Sequence, residues 1–303
     1  RHHPANRLRP PRDHLWNVGL GMSNNIIIGY PNRADGATYS AGSWLAGLPA
    51  SNLASRELWK VARSTNADLT STKFRVDLGA SKQLKVLSLC NHNLSANATW
   101  RVTLGTAAGA SDIYDSGWKS VWSLTFDSVV EWGSAVWWSI PGGDEYLRSP
   151  FNAVIIANDT FAARHITVEI NDTANADGYV QIGRLFAGGA IQPAYNAQYG
   201  LQDSWRDLST FDTAESGAFW ATERRRMRSV SFVLPWLSPG ESAYFHELQR
   251  QVGTIGEVLY IPYPSDMSES QRYGFLGRLS ELSPIDYPYY RARSLPLKIE
   301  ELG

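Results

Sequence analysis

A polar segment at residues 91–95, between two apolar runs, holds the side chains best suited to binding chemistry. His92 and Asn93 lie where a strand should end, and the Asn amide offers the donor and acceptor that sugar hydroxyls need. An indole such as Trp44 or Trp100 has an apolar face on which a sugar ring can stack. These four residues are therefore candidate glycan contacts. The alternative for His92 is structural, with the ring pinning the loop to the backbone.

Hydrolytic chemistry has weaker candidates. Asp144-Glu145 follows a Pro-Gly-Gly turn, and paired carboxyl groups about 5 or 6.5–9.5 Å apart hydrolyse glycosides. Adjacent residues on one loop rarely converge on one bond, so we expect a solvated loop tip. Cys90 lies inside an apolar strand pattern, where thiols are usually inert. The chain has neither a Gly-x-Ser-x-Gly elbow nor a phosphate loop. The sequence therefore predicts a protein that is not an enzyme and has no cofactor.

Metal-binding patterns are also weak. None of the 6 histidines lies at the spacing of a zinc site. Asn171-Asp172 and Asp177-Gly178 carry oxygen ligands of the kind that calcium takes. The same residue types are typical of turns, which we favour. No metal site is predicted.

Composition narrows the function class. A formal net charge of −1 over 303 residues argues against a nucleic-acid partner, which needs a basic field. A single cysteine excludes an internal disulfide framework. No run approaches the roughly 18 apolar residues of a membrane-spanning helix. The 12 Trp and 14 Tyr indicate a core or interface rich in aromatic rings, with a ligand platform as the alternative.

Short apolar runs separated by turn residues predict a mainly β fold, a jelly-roll β-sandwich over residues 23–189. A β-rich domain with one short helix follows over residues 190–303. We expect Gly79 to form a turn between two strands. The predicted strands are Ile26–Ile28, Phe74–Leu78, Leu84–Cys90, Trp100–Leu104, Val136–Ile140, Ala153–Ala157, Ile166–Ile170 and Val180–Phe186.

Both ends of the chain are predicted to be extended. Residues 1–22 form an Arg- and Pro-rich arm, and the 21 residues before Met22 are expected to be an upstream extension. Ser238-Pro239-Gly240-Glu241 is a capping box with Pro in the first turn, so a helix is predicted over residues 239–252. The tail from residue 284 is predicted to stay out of a central ladder because of Pro288 and Pro296. Arg224–Arg228 is predicted to be a solvated strand edge or a protein contact.

Several of these segments together resemble a family of bacteriophage tail proteins with a galactose-binding-like, discoidin-type jelly roll. The resemblance spans about residues 23–265. Its motifs are Ser51-Asn52-Leu53, Arg63-Ser64, Val76-Asp77-Leu78-Gly79, residues 91–95, Ile182 to Gly188, Leu234 to Ser238 and Gly256 to Pro262. It implies a virion protein of the baseplate or distal tail that assembles with other tail subunits in a symmetric ring. It carries over no catalytic residues.

Three functions follow as hypotheses. The first is a structural component of a long-tailed phage baseplate, located in the virion tail after assembly in the bacterial cytoplasm. The second is a carbohydrate-binding module that contacts host surface polysaccharide. The third, which we favour least, is a glycan-degrading enzyme. The first two are compatible, because one domain can both assemble and bind a glycan.

Overall fold

The computed structural model describes residues 24–122, 152–213, 216–217 and 219–302. The N-terminal arm, the predicted strand Val136–Ile140 and Asp144-Glu145 lie outside these ranges. The helical elements of the described chain are η1 (Ala50–Ala54), α1 (Leu69–Thr72), α2 (Pro239–Val252) and α3 (Met267–Tyr273). Its strands are β1 (Ile27–Asn32), β2 (Thr38–Ser40), β3 (Ala62–Arg63), β4 (Phe74–His92), β5 (Thr99–Gly105), β6 (Tyr114–Asp115), β7 (Lys119–Ser120), β8 (Asn152–Asn171), β9 (Gln181–Ile191), β10 (Gln202–Asp207), β11 (Thr210–Thr213), β12 (Phe219–Thr222), β13 (Arg226–Leu237), β14 (Glu257–Ile261), β15 (Phe275–Leu279) and β16 (Arg293–Glu301).

One antiparallel sheet joins most of the strands, which confirms the predicted mainly β class. The main path runs β10-β13-β16-β15-β14-β1-β9-β4-β8-β5-β6, with β2, β3 and β7 attached to β4, β9 and β5. Among the described strands, β11 and β12 pair only with each other. None of the helices in the described ranges is long and apolar enough to span a membrane.

The two longest strands differ from the prediction. Phe74–Leu78 and Leu84–Cys90 are parts of the single strand β4, and the runs at residues 153–157 and 166–170 are both within β8. Gly79 has a φ of +73°, and the β4–β8 register shifts between Asp77 and Lys82. A bulge of this kind bends a strand without ending it. The turn predicted at Gly79 is therefore a bend within one strand.

Residues 86–90 of β4 are buried on both faces, which explains the nearly continuous apolar sequence of this part of the strand. Leu87 and Leu89 pack into one core cluster with Trp100, while Val86 and Cys90 pack into a second cluster with strands β9 and β14. Successive side chains of a strand point to opposite faces, so alternate residues reach the two clusters. This part of β4 therefore lies between two packed layers, which hold the C-terminal end of the strand in place.

Strand β1 connects the two halves of the chain. It pairs with β9 on one side and with β14 on the other. Ile26 and Ile28 belong to the core cluster of the C-terminal strands, although they precede the predicted jelly roll's other strands. The division at residue 189 stays a prediction, and the sheet is continuous across it.

Helix α2 is where the sequence predicts it. Ser238 Oγ accepts a hydrogen bond from the Glu241 amide at 3.3 Å, and a Glu241 carboxylate oxygen accepts from the Ser238 amide at 2.8 Å. The helix ends at Val252, before Gly253 with its φ of +58°. The C-terminal half also contains the short helix α3, which the prediction of one helix omitted. Its first turn is capped by Asp266, which accepts from the Glu269 amide at 3.2 Å.

The prediction for the C-terminal tail is wrong at Pro296. This residue lies in β16 opposite Val233, and β16 stands between β13 and β15. The pairing with β15 covers only Ile299 to Glu301, so Pro296 lies in a part of β16 with one paired neighbour. The missing N–H of a proline is tolerated there.

The basic run at residues 224–228 leads into β13, and its first three arginines are exposed as predicted, but β13 is not a free edge. Strand β13 lies between β10 and β16. Arg228 is 4% exposed and donates to the Glu301 carboxylate at 2.9 and 3.1 Å, so this charge is used inside the fold.

Candidate functional site

The ends of β4 and β9 lie side by side, and Asn93 ties the adjoining loop to them. The Asn93 amide N–H donates to the Gln181 carbonyl at 3.2 Å, and its Oδ1 accepts from the Gln181 N–H at 2.7 Å. Its Nδ2 donates to the Asp177 carboxylate at 2.8 Å and to the Tyr179 carbonyl at 3.1 Å. The Asn93 side chain is thus engaged by the protein, and its main effect is to fix the loop at residues 172–180.

Asp172 fixes the same loop through hydrogen bonds to Ser95 and Asn175. It is 3% exposed, and its carboxylate accepts from the Ser95 amide at 2.9 Å and from Asn175 Nδ2 at 2.7 Å. Ser95 Oγ also donates to it, at 2.5 Å. The carboxylate is therefore used as a turn acceptor. Among the described residues, no group of three or more His, Cys, Asp or Glu side chains could hold a metal ion.

His92 is half-buried and points into the base of the loop. Its Nδ1 accepts from the Leu94 amide at 3.3 Å, and its ring meets the Trp122 ring edge-on at 5.7 Å between centroids. Nε2 is buried and has no hydrogen-bond partner in the described chain. Burial lowers the pKa of His92 to about 4, so the ring is neutral at pH 7. These contacts match the structural alternative for His92, with the ring bonded to the backbone.

The two predicted indole platforms do not lie together at the surface. Trp100 is 1% exposed and packs in the core, so it has no ring face to offer a ligand and is removed from the candidate set. Trp44 is half-buried, donates from Nε1 to the Lys73 carbonyl at 3.4 Å and packs edge-on against Phe74 at 5.9 Å. Trp44 thus contributes mainly to packing.

Trp59 is an exposed indole that the sequence analysis missed, and it lies on the turn next to the end of β4. It is 73% exposed, and the Lys60 ammonium lies 5.3 Å from its ring centroid. The turn that carries it is fixed to the end of β4, because Asn91 Nδ2 donates to the Leu58 carbonyl at 3.0 Å. The charged residues Glu57 and Lys60 around Trp59, just before a short strand, are the signal that could have found it.

A stacked cation–aromatic pair completes the surface. The Arg63 guanidinium lies 4.2 Å from the Tyr179 ring centroid and donates to Gln181 Oε1 at 2.6 and 3.0 Å. Asp177 is exposed beside them, with one carboxylate oxygen bonded to Asn93. We call Trp59, Arg63, Asn93, Asp177 and Tyr179 the loop surface. It presents an indole face, a fixed guanidinium and a carboxylate on loops tied to two buried strands.

The described residues present no reactive nucleophile in this region. Cys90 is buried, and burial raises the pKa of its thiol to about 12, so the reactive thiolate is suppressed. The Asp144-Glu145 pair lies outside the described ranges.

No family model matches the sequence, and no curated protein matches it significantly. Part of the fold is similar to the lectin domain of lectinolysin complexed with Lewis B antigen, with 18% identity, 52% of this chain and 96% of that chain covered and a TM-score of 0.33. It is also similar to the family 32 CBM from C. perfringens NanJ in complex with galactose, with 11% identity, 54% and 99% covered and a TM-score of 0.35.

A third similar structure is CBM32-1 from a family 31 glycoside hydrolase of Clostridium perfringens, with 10% identity, 53% and 99% covered and a TM-score of 0.34. Similarity this low says nothing about what the present chain binds. These proteins lend no support to the phage-tail resemblance, which stays a prediction.

Proposed function

We propose that this chain is a carbohydrate-binding protein whose loop surface takes a glycan of a surface polysaccharide. The proposal rests on the largely exposed indole of Trp59, on a turn tied to the end of β4, together with the Arg63–Tyr179 stack at the end of β9. Trp44, His92 and Asn93 act in this proposal as supports of the surface.

The side chains present match what a sugar offers. The apolar face of a pyranose stacks on an indole, which brings a large contact area with little conformational entropy to lose. A guanidinium donates to sugar oxygens, and a carboxylate accepts from hydroxyl groups. Because Asn93 and Asp172 already fix the loop by hydrogen bonds, little ordering is needed on binding, which favours affinity.

Titration calorimetry with galactose oligomers and with purified bacterial surface polysaccharide tests this function. We expect binding by the full chain and at least a tenfold loss in the Trp59→Ala variant. Trp205→Ala is the matched control, because Trp205 is 62% exposed and lies on β10, outside both the loop surface and the β11–β12 ribbon. Absence of binding at millimolar sugar, or equal losses in both variants, would refute the proposal.

Binding without turnover is part of the same proposal. The loop surface has a carboxylate and a guanidinium but no second carboxylate positioned as a general acid. Polysaccharide incubated with the protein should keep its chain length in size-exclusion chromatography. Progressive shortening would instead support the glycan-degrading function.

A second candidate function is assembly as a structural component of a phage baseplate or distal tail, in a symmetric ring of copies of this chain within the virion. The observation that favours assembly is the β11–β12 ribbon, whose described residues are all exposed. Phe211 and Phe219 stack there at 5.4 Å between centroids, and Trp220 is exposed beside them. Exposed aromatic clusters of this kind mark protein contacts, and we propose a second copy as the partner.

Light scattering of the purified chain tests the assembly. We expect oligomers whose mass falls to that of the monomer in a Phe211→Ser/Phe219→Ser variant, while Trp59→Ala keeps the oligomer. A chain that stays monomeric at high concentration, or its absence from purified virions, would contradict this second function.

A further inference from the structure

A recess lies in the C-terminal half of the chain. It is distant in sequence from the loop surface. Its volume is about 230 Å³, enough for one side-chain-sized group. We call it the tyrosine cleft, and it is lined by Leu201, Asp203, Val230, Tyr260, Pro262, Tyr263 and Tyr273. These residues come from β10, β13, β14, the segment after β14 and the end of α3, and none belongs to the loop surface.

Strand pairing explains why a carboxylate meets tyrosines here. Asp203 on β10 lies directly opposite Val230 on β13, so both side chains point to the same face of the sheet. Tyr260 is held in the floor by Phe232, stacked at 5.6 Å, and by Phe275 at 5.5 Å. The walls of the cleft are therefore preformed.

The cleft contains one carboxylate, Asp203. Among the described residues, no Lys, Arg or His forms an ion pair with Asp203, and burial raises the pKa of its carboxyl group. The cation that acts on it at longer range is Arg228, which is held by the Glu301 carboxylate at 2.9 Å. Asp203 is exposed on β10, so its carboxylate is open to a cationic partner that enters the cleft.

The aromatic groups of the cleft suit the same partner. Tyr260 is 2% exposed and forms the floor of the cleft. The rings of Tyr263 and Tyr273 stand edge-to-face at 6.2 Å and form a corner. Arg272 already places its guanidinium 5.5 Å from the Tyr273 ring centroid, which shows that this ring accommodates a cation.

We propose that the tyrosine cleft binds a cationic group, an ammonium or guanidinium of the kind carried by a lysine or arginine side chain or by a quaternary amine. Tyr263 and Tyr273 supply the π faces, and Asp203 supplies the opposite charge. A neutral sugar offers Asp203 no opposite charge, so a glycan fits the cleft less well. The proposal does not depend on the proposed function, because the two surfaces share no residue.

Choline and its neutral isostere 3,3-dimethylbutan-1-ol have the same shape and differ in charge. Comparing their binding therefore measures the contribution of the positive charge. With the full chain in calorimetry, or in NMR titration of tyrosine signals, we expect choline and arginine amide to bind at least tenfold more tightly than the neutral alcohol. Asp203→Asn, which keeps the shape, should reduce choline binding at least tenfold. Asp159→Asn is the matched control, because Asp159 is exposed on β8 and far from the cleft in the sheet order.

The outcomes discriminate clearly. Equal binding of choline and the alcohol, unchanged binding in Asp203→Asn, or galactose binding in the cleft in place of choline would overturn the proposal. Tyr263→Ala is a second variant, since Tyr263 is partly exposed and its truncation should spare the fold while weakening choline binding. Trp59→Ala should leave choline binding unchanged, so failure of the glycan-binding function and failure of this proposal can be told apart.

Discussion

Removing Arg184 should destabilise the protein far more than removing an ion pair of similar geometry at the surface. The Arg184 side chain is 0% exposed and donates to the Glu257 carboxylate, whose side chain is 4% exposed, at 2.5 and 3.1 Å. It also pairs with Asp35 and reaches the Leu53 carbonyl at 3.4 Å. Arg184→Ala would leave the Glu257 charge buried without its partner.

The magnitude follows from burial. Breaking a buried ion pair by removing one partner costs about 3–5 kcal/mol, whereas exposed pairs contribute about 0–1 kcal/mol. Arg164 and Asp77 form the comparison pair, with two hydrogen bonds of 2.8 and 2.9 Å and side chains that are 48% and 33% exposed. Arg184→Ala should therefore lose at least about 2 kcal/mol more than Arg164→Ala, a large share of the roughly 5–15 kcal/mol typical of domains.

Urea unfolding followed by tryptophan fluorescence measures both losses. We expect the midpoint of Arg184→Ala to fall by about 1 M or more and that of Arg164→Ala to change little. The double variant Arg184→Met/Glu257→Leu should recover part of the loss, because both buried charges are then gone. The reasoning is refuted if the two single variants lose the same free energy, or if the double variant is no more stable than Arg184→Ala.

Three further predictions follow from single side chains. Ser238→Ala should lower the free energy of unfolding by about 1 kcal/mol in urea titrations, since the α2 cap is lost, and an unchanged value would contradict the cap. Cys90 should resist iodoacetamide at pH 8 in the native protein and react in urea, because burial raises its pKa to about 12, and equal rates would contradict this. The His92 pKa of about 4 lies below its unfolded value of 6.5, so the free energy of unfolding should fall, by at most about 3 kcal/mol, as pH drops from 6.5 towards 4. A His92→Gln variant should show a shallower decline, and an identical slope would contradict it.

Local signals predicted the elements that depend on neighbouring residues. Helix α2 was placed correctly at both ends because its capping box and final glycine act within a few residues. The strands around residues 100–104 and 180–186 were found because apolar runs bounded by turn residues need no distant information. The bend at Gly79 was taken for a turn, because only the partner strand decides whether a bulge ends the ladder.

The candidate site depended on information that is distant in the sequence. Whether Trp100 or Trp59 reaches the surface is set by which face of the sheet each strand buries, and a shift of one residue reverses that face. The Arg184–Glu257 pair joins residues 73 positions apart, and the sequence near either residue does not predict it. Asn93 was placed correctly at a strand end, but its partners on the loop at residues 175–181 become visible only when β4 and β9 pair.

The loop surface and the tyrosine cleft do not rotate relative to each other, and this raises the affinity for a ligand that contacts both. Strand β1 pairs with β9, which supports the loop surface, and with β14, which supports the tyrosine cleft. The buried Arg184–Glu257 pair joins the same two strands, so rotation between them would expose both charges. Domains that touch through small polar interfaces normally move relative to each other, and a continuous sheet with a buried ion pair removes that freedom. A polymer that carries both sugar rings and cationic groups at a matching spacing would bind both surfaces, and no conformational entropy would be lost in ordering one surface against the other. Its avidity would exceed the affinity for either surface alone.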